Sequence, residues 1–304
     1  MFIHSHFFAA MASRCEIRLG AVNESAAQTL ARRAMDEVRR IEVKFSRYLA
    51  SSVVSRINAQ AGHDWVSCDN ETMALLVFAD TLFETSEGQL DITSGVLRRA
   101  WNFRQALLPT QDSLHALCQL VDWRSVQRQG RCVRLPRVGM ELDFGGFGKE
   151  YAADCAAAVL QGQGVAHGYV NLGGDIRVLG PQPDGQPWTV GIQNPRVSNS
   201  LIASIAVSGG AIATSGDYER FFELDGRRYC HIFHPRSGWP VAYWRSVSVQ
   251  AGSALHAGSL ATVAMLKEAQ ALAFLDHQHV SYLAVDPQGR MHHENGQCSP
   301  PNPS

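Results

Sequence analysis

The sequence lacks a long apolar run. No stretch approaches the ~18–20 consecutive apolar residues that a membrane-spanning helix needs, so no membrane insertion is expected. It also lacks a dominant charge: 27 Lys and Arg stand against 28 Asp and Glu, and the formal net charge is −1. Binding to nucleic acid requires a basic surface that neutralises phosphates, and this balance argues against it. No CxxC spacing occurs among the seven cysteines (15, 68, 118, 132, 155, 230 and 298), so a zinc site is not expected. Their odd number and scatter fit reduced thiols and a cytoplasmic setting. The opening MFIHSHFFAAMASRCEIRL carries one short apolar patch, Phe7 to Met11, without the basic front and cleavage site of a secretory signal. Low-complexity tracts and repeats of fixed period are absent too, which excludes solenoids.

What is present is a chain of 304 residues, 45% hydrophobic, ample for a large core. Residues 14–20 alternate as a strand does, and 24–44 carry apolar residues at helical spacing with charges opposite. Asp69 is a candidate N-cap for a second helix, with Gly88 as its stop. QLDITSGVL reads as a strand, 110–122 as a helix, and VQRQGRCVRLP as a hairpin. ELDFGG reads as a strand running into a glycine turn, followed by the alanine-rich helix KEYAADCAAAVLQGQG. GYVNLGGDIRVLG and PWTVGIQNP read as strands. RFFELDGRRYCHIF is a hairpin about Asp225-Gly226, a pair suited to a type I′ turn because both central residues need positive φ. SVSVQAG is a further strand, 254–275 one long apolar helix, and VSYLAVDPQGRMHH a last hairpin. Adjacent antiparallel strands mixed with long helices indicate the α+β class. One compact domain over 11–295 is expected, with flexible ends at 1–10 and 296–304.

Five stretches can carry chemistry. Asp143-Phe144-Gly145-Gly146-Phe147-Gly148-Lys149 places glycines between strand and helix, where a backbone can approach a phosphate; it equally suits a tight turn, and matches neither the dinucleotide fingerprint nor the P-loop. Asn171-Leu172-Gly173-Gly174-Asp175 is a second glycine turn with a polar edge. Thr214-Ser215-Gly216-Asp217-Tyr218 offers small hydroxyls for phosphate or ribose, or for an ordinary turn. His231 lies three residues before His234, in a stretch where Arg236 can hold a phosphate. Ala257 to Thr262 opens an apolar helix, with a threonine hydroxyl of the kind magnesium accepts.

Taken in order, with Met11-Ala12-Ser13, Phe45-Ser46-Arg47-Tyr48, Ser55-Arg56-Ile57-Asn58 and Asp91-Ile92-Thr93 ahead of them, these stretches resemble the FAD:protein FMN transferase (ApbE) family from about Met11 to about residue 285. The resemblance implies a single α+β domain with mixed or antiparallel sheets and packed helices. It implies an enzyme that splits FAD, releases AMP and attaches FMN to a threonine or serine of an acceptor flavoprotein. Carried over by position, Met11, Tyr48, Gln89, Leu90, Asp91, Asp143, Lys149 and Ile232 line FAD. Gly146 and Thr262 contact magnesium, and His231 is the catalytic histidine. The acceptor would carry a short Asp-Gly-x-Ser/Thr-Gly-Ala-Thr-like segment, which this chain does not contain.

Three departures from the family pattern bear on the chemistry. His256-Ala257-Gly258-Ser259-Leu260-Ala261-Thr262 has glycine where the family has its metal-binding aspartate. His234 replaces another carboxylate, and Met11-Ala12-Ser13 replaces Met-Gly-Thr. A third carboxylate, Asp217 or Glu219, would compensate for the lost ligand. The alternatives to transfer are a non-catalytic FAD-binding protein, motivated by Gly258, and an FAD pyrophosphatase that passes FMN to water.

Overall fold

The computed structural model of the chain describes residues 1–294 and 298–299. The chain opens with β1 (Phe2–Ala10) and β2 (Ser13–Ala21), then α1 (Glu24–Phe45), α2 (Val53–Ala59), β3 (Val66–Ser67) and α3 (Asn70–Thr85). A 3₁₀ stretch, Ile92–Arg99, leads to α4 (Gln111–Cys118) and the hairpin β4 (Gln127–Gln129) and β5 (Cys132–Arg134). Next come α5 (Gly148–Gly162), β6 (Gly168–Leu172), β7 (Asp175–Gly180), β8 (Trp188–Gln193), β9 (Leu201–Val207) and β10 (Gly210–Gly216). The hairpin β11 (Phe221–Leu224) and β12 (Arg227–Cys230) precedes β13 (Ser246–Ala251), α6 (Ala254–Lys267), α7 (Ala271–His277), β14 (Ser281–Val285), β15 (Met291–Glu294) and β16 (Cys298–Ser299).

Eight strands form one sheet in the order β1-β2-β6-β7-β10-β13-β14-β15, every pair antiparallel. Side chains alternate across it, as the strand period requires. Ala211 and Ala213 of β10 point to one core and Ile212 to another. The first face carries α1, α5 and α6. Their contact residues are small: Ala27, Ala31 and Ala34 on α1, Ala152, Ala153, Ala156 and Ala157 on α5, and Ala257, Ala261 and Ala264 on α6, all buried. Alanine loses little entropy in a helix and lets helices approach closely. The opposite face packs Ile176, Val178, Ile212 and Leu283 against Trp188, Val190 and Ile192 of β8 and Val207 of β9. The result is the expected α+β architecture. Among the described residues no helix is long and apolar enough to cross a membrane.

The capped elements match the sequence reading. Asp69 caps α3, accepting from the Thr72 amide at 2.9 Å. Asp225 and Gly226 turn the β11–β12 hairpin with φ of 51° and 74°. Four elements differ. Residues 1–10, expected as a flexible end, contain β1, paired with β2 from Phe2↔Ala21 to Ala10↔Ser13, where it satisfies the edge that β2 turns away from β6. QLDITSGVL is not a strand. Its Asp91 caps a 3₁₀ coil by accepting from the Thr93 amide at 2.7 Å and hydroxyl at 2.5 Å. ELDFGG joins no sheet, because the Asn58 amide group takes both the N–H (2.7 Å) and the carbonyl (2.9 Å) of Leu142. The helix expected over 254–275 is two, interrupted at Glu268, which has φ of 47° and whose carbonyl accepts from the Trp244 indole at 2.7 Å. The expectation of a flexible 296–304 tail lies outside the described residues, apart from Cys298–Ser299, which pair with β9.

Asn58 therefore acts as a surrogate strand that holds the approach to the glycine turn. Asn58→Ala leaves two backbone groups of the buried Leu142 unpaired. It should lower stability by about 2–3 kcal/mol, read as a reduced urea midpoint with unchanged slope. An unchanged midpoint would show that the pair of bonds is dispensable.

Candidate functional site

The glycine turn between Leu142 and α5 is pinned by its own aromatics. Phe144 and Phe147 are buried and stack at 5.2 Å, and Phe45 of α1 meets Phe144 at 5.5 Å. With its flanks fixed in the core, the glycines between them are left toward the open side. A Cβ added at Gly146 would meet no heavy atom within 4 Å. Asp143 braces the turn: its carboxylate accepts from the Gly145 amide at 2.9 Å and pairs with Arg47. Its amide donates to the carbonyl of Ile92 at 2.9 Å, which docks the Asp91 segment alongside.

Lys149, in the first turn of α5, reaches to the start of β7 and pairs with Asp175 at 2.8 Å. Burial alone would lower the Lys149 pKa, but Asp175 and Glu150 outweigh it and the ammonium is held above its usual range. Lys149 Nζ also lies over the β6–β7 turn, 3.6 Å from where a Gly173 Cβ would stand. That same Cβ would be 2.7 Å from Ser13 Oγ, and Gly173 has φ of 62°, so glycine is required on both counts. Three turns expected from sequence to matter therefore meet here: Met11–Ser13, Asp143–Lys149 and Asn171–Asp175.

His231 stands just beyond β12. The hairpin beneath it packs its own Phe222 and Tyr229 against Trp101, and the Trp101 indole donates to the Gly238 carbonyl at 2.9 Å, fixing the loop that follows. His231 Nδ1 lies 3.3 Å from the carbonyl of Arg220. A carbonyl only accepts, so Nδ1 carries the proton and Nε2 is left with a free lone pair. Burial, then the positive charges of Arg220, Lys149 and Arg47, lower the imidazole pKa to about 4. At neutral pH it is an uncharged base facing three cations.

Arg47 and Arg220 were not among the residues singled out from the sequence, although Arg47 lies within the Phe45–Tyr48 motif. Arg47 donates to the Tyr48 hydroxyl at 2.7 Å and its guanidinium covers the Tyr48 ring at 4.8 Å. Burial would raise the Tyr48 phenol, but Arg47 and Arg220 hold it below its usual value. Among the described residues no carboxylate pairs with Arg220, which lies over the Phe103 ring at 6.0 Å.

The other sequence-derived candidates are less exposed to this space. The carboxylate of Asp91 is committed to Thr93 and to the Trp123 amide at 3.1 Å, so it shapes the segment from within. Leu90 is buried, and its amide donates to Ser86 Oγ at 2.8 Å. Gln89 Oε1 is buried with no partner. Ile232 is half-buried against the main core, and its carbonyl accepts from the Val241 amide at 3.0 Å.

Thr262 on α6 shares a 2.7 Å hydroxyl contact with Ser215 at the end of β10. One turn earlier on the same face is Gly258. Of the two carboxylates expected to compensate, Asp217 is engaged: Arg196 grips it at 2.7 and 2.6 Å, and Arg228 lies 3.5 Å away. Glu219 is exposed, acting on Lys149 only by its charge. The group beside Gly258 is Glu150, whose carboxyl pKa is raised by burial and by the neighbouring Asp175. Among the described residues no group of three or more His, Cys, Asp or Glu forms a ready metal cage. The donors present are hard oxygens, however: Glu150, Asp175, Thr262 and Ser215. Magnesium is commonly held by one or two carboxylates completed by substrate phosphates, and the bare Glu150 Oε2 leaves an oxygen for it. The set fits that ion.

The β1–β2 turn is left-handed at both of its residues. Met11 and Ala12 have φ of 51° and 57°, a left-handed pair without glycine, tied down by a 2.6 Å bond from the Met11 amide to Glu42. Ala12→Gly should raise stability by about 0.5–1 kcal/mol, because the left-handed cost of a side chain there exceeds the added entropy of glycine. A lower urea midpoint would contradict the turn geometry.

The ApbE family model matches residues 11–284. An FAD:protein FMN transferase of Vibrio cholerae is 31% identical over 273 residues, covering 88% of this chain and 81% of that protein. The ApbE protein of Thermotoga maritima superposes with a TM-score of 0.90 at 28% identity, and the flavin transferase ApbE of Vibrio cholerae with 0.86 at 26%, each covering 97% of both chains. Motif order, an antiparallel sheet carrying three helices, and the meeting of the three turns agree with this match across nearly the whole sequence, and the chain belongs to the ApbE family.

Proposed function

We propose that the chain binds FAD with its pyrophosphate among Lys149, Arg47 and Arg220, and transfers FMN to a serine or threonine hydroxyl of an acceptor flavoprotein with release of AMP. The observation that carries this reading is His231: an uncharged imidazole with Nδ1 committed to a carbonyl and Nε2 free, set before three cations. Such cations bind phosphate oxygens and stabilise the charge that develops when a phosphoryl group moves. In the step itself, the acceptor oxygen forms a bond to the phosphorus that carries riboflavin. The bond from that phosphorus to the bridging oxygen breaks, and its electron pair leaves with AMP. The hydroxyl proton passes to His231 Nε2, which makes a weak nucleophile competent at neutral pH.

Met11, Tyr48, Gln89, Leu90, Asp91, Asp143, Lys149 and Ile232 are the residues we assign to FAD. Tyr48 is exposed and backed by Arg47, and Gln89 offers an unpaired carbonyl oxygen, both suited to a ligand. Asp143 and Asp91 serve from behind, by bracing Arg47 and the flanking coil. Magnesium, held through Thr262 and the turn at Gly146, would neutralise phosphate charge. We place the acceptor's reactive residue in a short Asp-Gly-x-Ser/Thr-Gly-Ala-Thr-like segment. We place the reaction in the cytoplasm, in keeping with free thiols at Cys15, Cys68, Cys118, Cys132, Cys155 and Cys230.

Protein, FAD, Mg²⁺ and a peptide-tagged acceptor should give a flavin-fluorescent acceptor band on a denaturing gel. An acceptor that stays dark would overturn the reading. His231→Ala should reduce the labelling rate by about 100-fold or more while FAD affinity changes only a few-fold; equal loss of both would make the residue a binding group. The pH profile follows from the depressed imidazole. The free enzyme keeps an unprotonated His231 through the usual histidine range, so kcat/KM for FAD should hold level below pH 6.5 and fall only toward about pH 4. Arg220→Gln removes one of the charges responsible and should move that limb upward. A wild-type limb near pH 6.5 would contradict the environment described. Folding is linked the same way: the unfolded chain takes up this proton near pH 6.5 and the folded chain near 4, so the contribution to stability is lost as pH falls through that window.

A further inference from the structure

We propose that Glu150 is the carboxylate ligand through which this chain holds a divalent cation, reaching from α5 across to α6 into the space above Gly258. The inference rests on the flavin-transfer reading for its purpose but on separate observations for its geometry. Glu150 is only 7% exposed, and its Oε2 has no partner. Burying a carboxylate oxygen without a donor is costly, and a cation removes that cost. The side chain is directed to one place. A Cβ built on Gly258 would lie 2.5 Å from Glu150 Cγ and 2.6 Å from Glu150 Oε1. Glu150 as placed and any side chain at position 258 are therefore mutually exclusive.

The surroundings supply further hard oxygens on the same helix-facing side of the sheet. Asp175 acts on Glu150 from the start of β7. The Thr262 and Ser215 hydroxyls meet at 2.7 Å, and Thr262 follows Gly258 by one helical turn. Lys149 acts on Glu150 by its charge, but its ammonium is bonded to Asp175 at 2.8 Å and gives the bare Oε2 no donor. Oxygen donors alone, two of them carboxylates, select a hard ion such as Mg²⁺ or Mn²⁺ over zinc. The glycine at 258 is then not a lost ligand but the clearance that admits a ligand from the facing helix.

The test uses Mn²⁺ as the probe, titrated into the intact protein with and without saturating FAD, with free Mn²⁺ counted by electron paramagnetic resonance. Wild type should bind Mn²⁺ in at least the FAD-loaded state. Glu150→Gln, which keeps the shape and removes the charge, should weaken that binding at least tenfold while circular dichroism and FAD affinity are retained. Gly258→Asp alone should be crowded and gain no affinity, whereas the double exchange Glu150→Gly with Gly258→Asp should restore binding. Unchanged Mn²⁺ affinity in Glu150→Gln, or no Mn²⁺ uptake by wild type in either state, would overturn the assignment. Acceptor labelling is scored separately. Mn²⁺ bound through Glu150 without labelling would leave this assignment standing and defeat the transfer reading; labelling with Glu150→Gln binding Mn²⁺ as wild type does would do the reverse.

Discussion

The pairing of Lys149 with Asp175 is the interaction on which the arrangement of the site depends. It joins the first turn of α5 to the first residue of β7, and so closes the glycine turn of Asp143–Gly148 onto the turn of Gly173 and Gly174. Because Asp175 is buried, the pair is poorly screened and its geometry is firm. Ser13, at the start of β2, packs against Gly173 beneath the ammonium. Three stretches far apart in the chain meet at one locus around this pair, and the neighbouring Glu150 lies against Gly258 of α6.

Around that locus the charges are interleaved: Lys149 pairs with Asp175 and Arg47 with Asp143. Arg47, Arg220 and Lys149 act together on His231, while Glu150, Asp175 and the Thr262–Ser215 hydroxyls lie toward α6. In the proposed reaction a diphosphate ester would use both sets: the cations and a metal ion would share its negative oxygens, and the uncharged imidazole would take the proton of the incoming hydroxyl. Burial and the nearby cations also explain why His231 stays neutral. A protonated imidazole would face three positive charges in a partly dehydrated setting, so the neutral form prevails until the solution is well below the usual histidine range.

Much of this was legible in the sequence because it is local. The α1 and α3 periodicities, the Asp69 cap and the Asp225-Gly226 turn are decided by residues a few positions apart, and the structure reproduces them. The failures occur where a distant group intervenes. ELDFGG carries strand-like residues, yet Asn58, 84 positions away, takes the backbone groups of Leu142 that a ladder would have used. The helix over 254–275 has no interior breaker, and its interruption coincides with Trp244 capturing a backbone carbonyl. The candidate residues followed the same rule. His231 and Lys149 lie within ordered motifs, whereas Glu150, next to Lys149, and Arg220, two residues beyond Tyr218, lie just outside them and act through space. Gly258 looked like a loss when read along α6 alone; set against α5, it is the space that the Glu150 side chain fills.

The stoichiometry of products with acceptor present decides between transfer and hydrolysis. Intact-mass spectrometry of the acceptor and chromatography of the nucleotides, followed over one reaction, should show one AMP released for each acceptor molecule that gains FMN, with no free FMN. AMP and free FMN accumulating together while the acceptor mass stays unchanged would contradict it, and would make the chain a flavin pyrophosphatase.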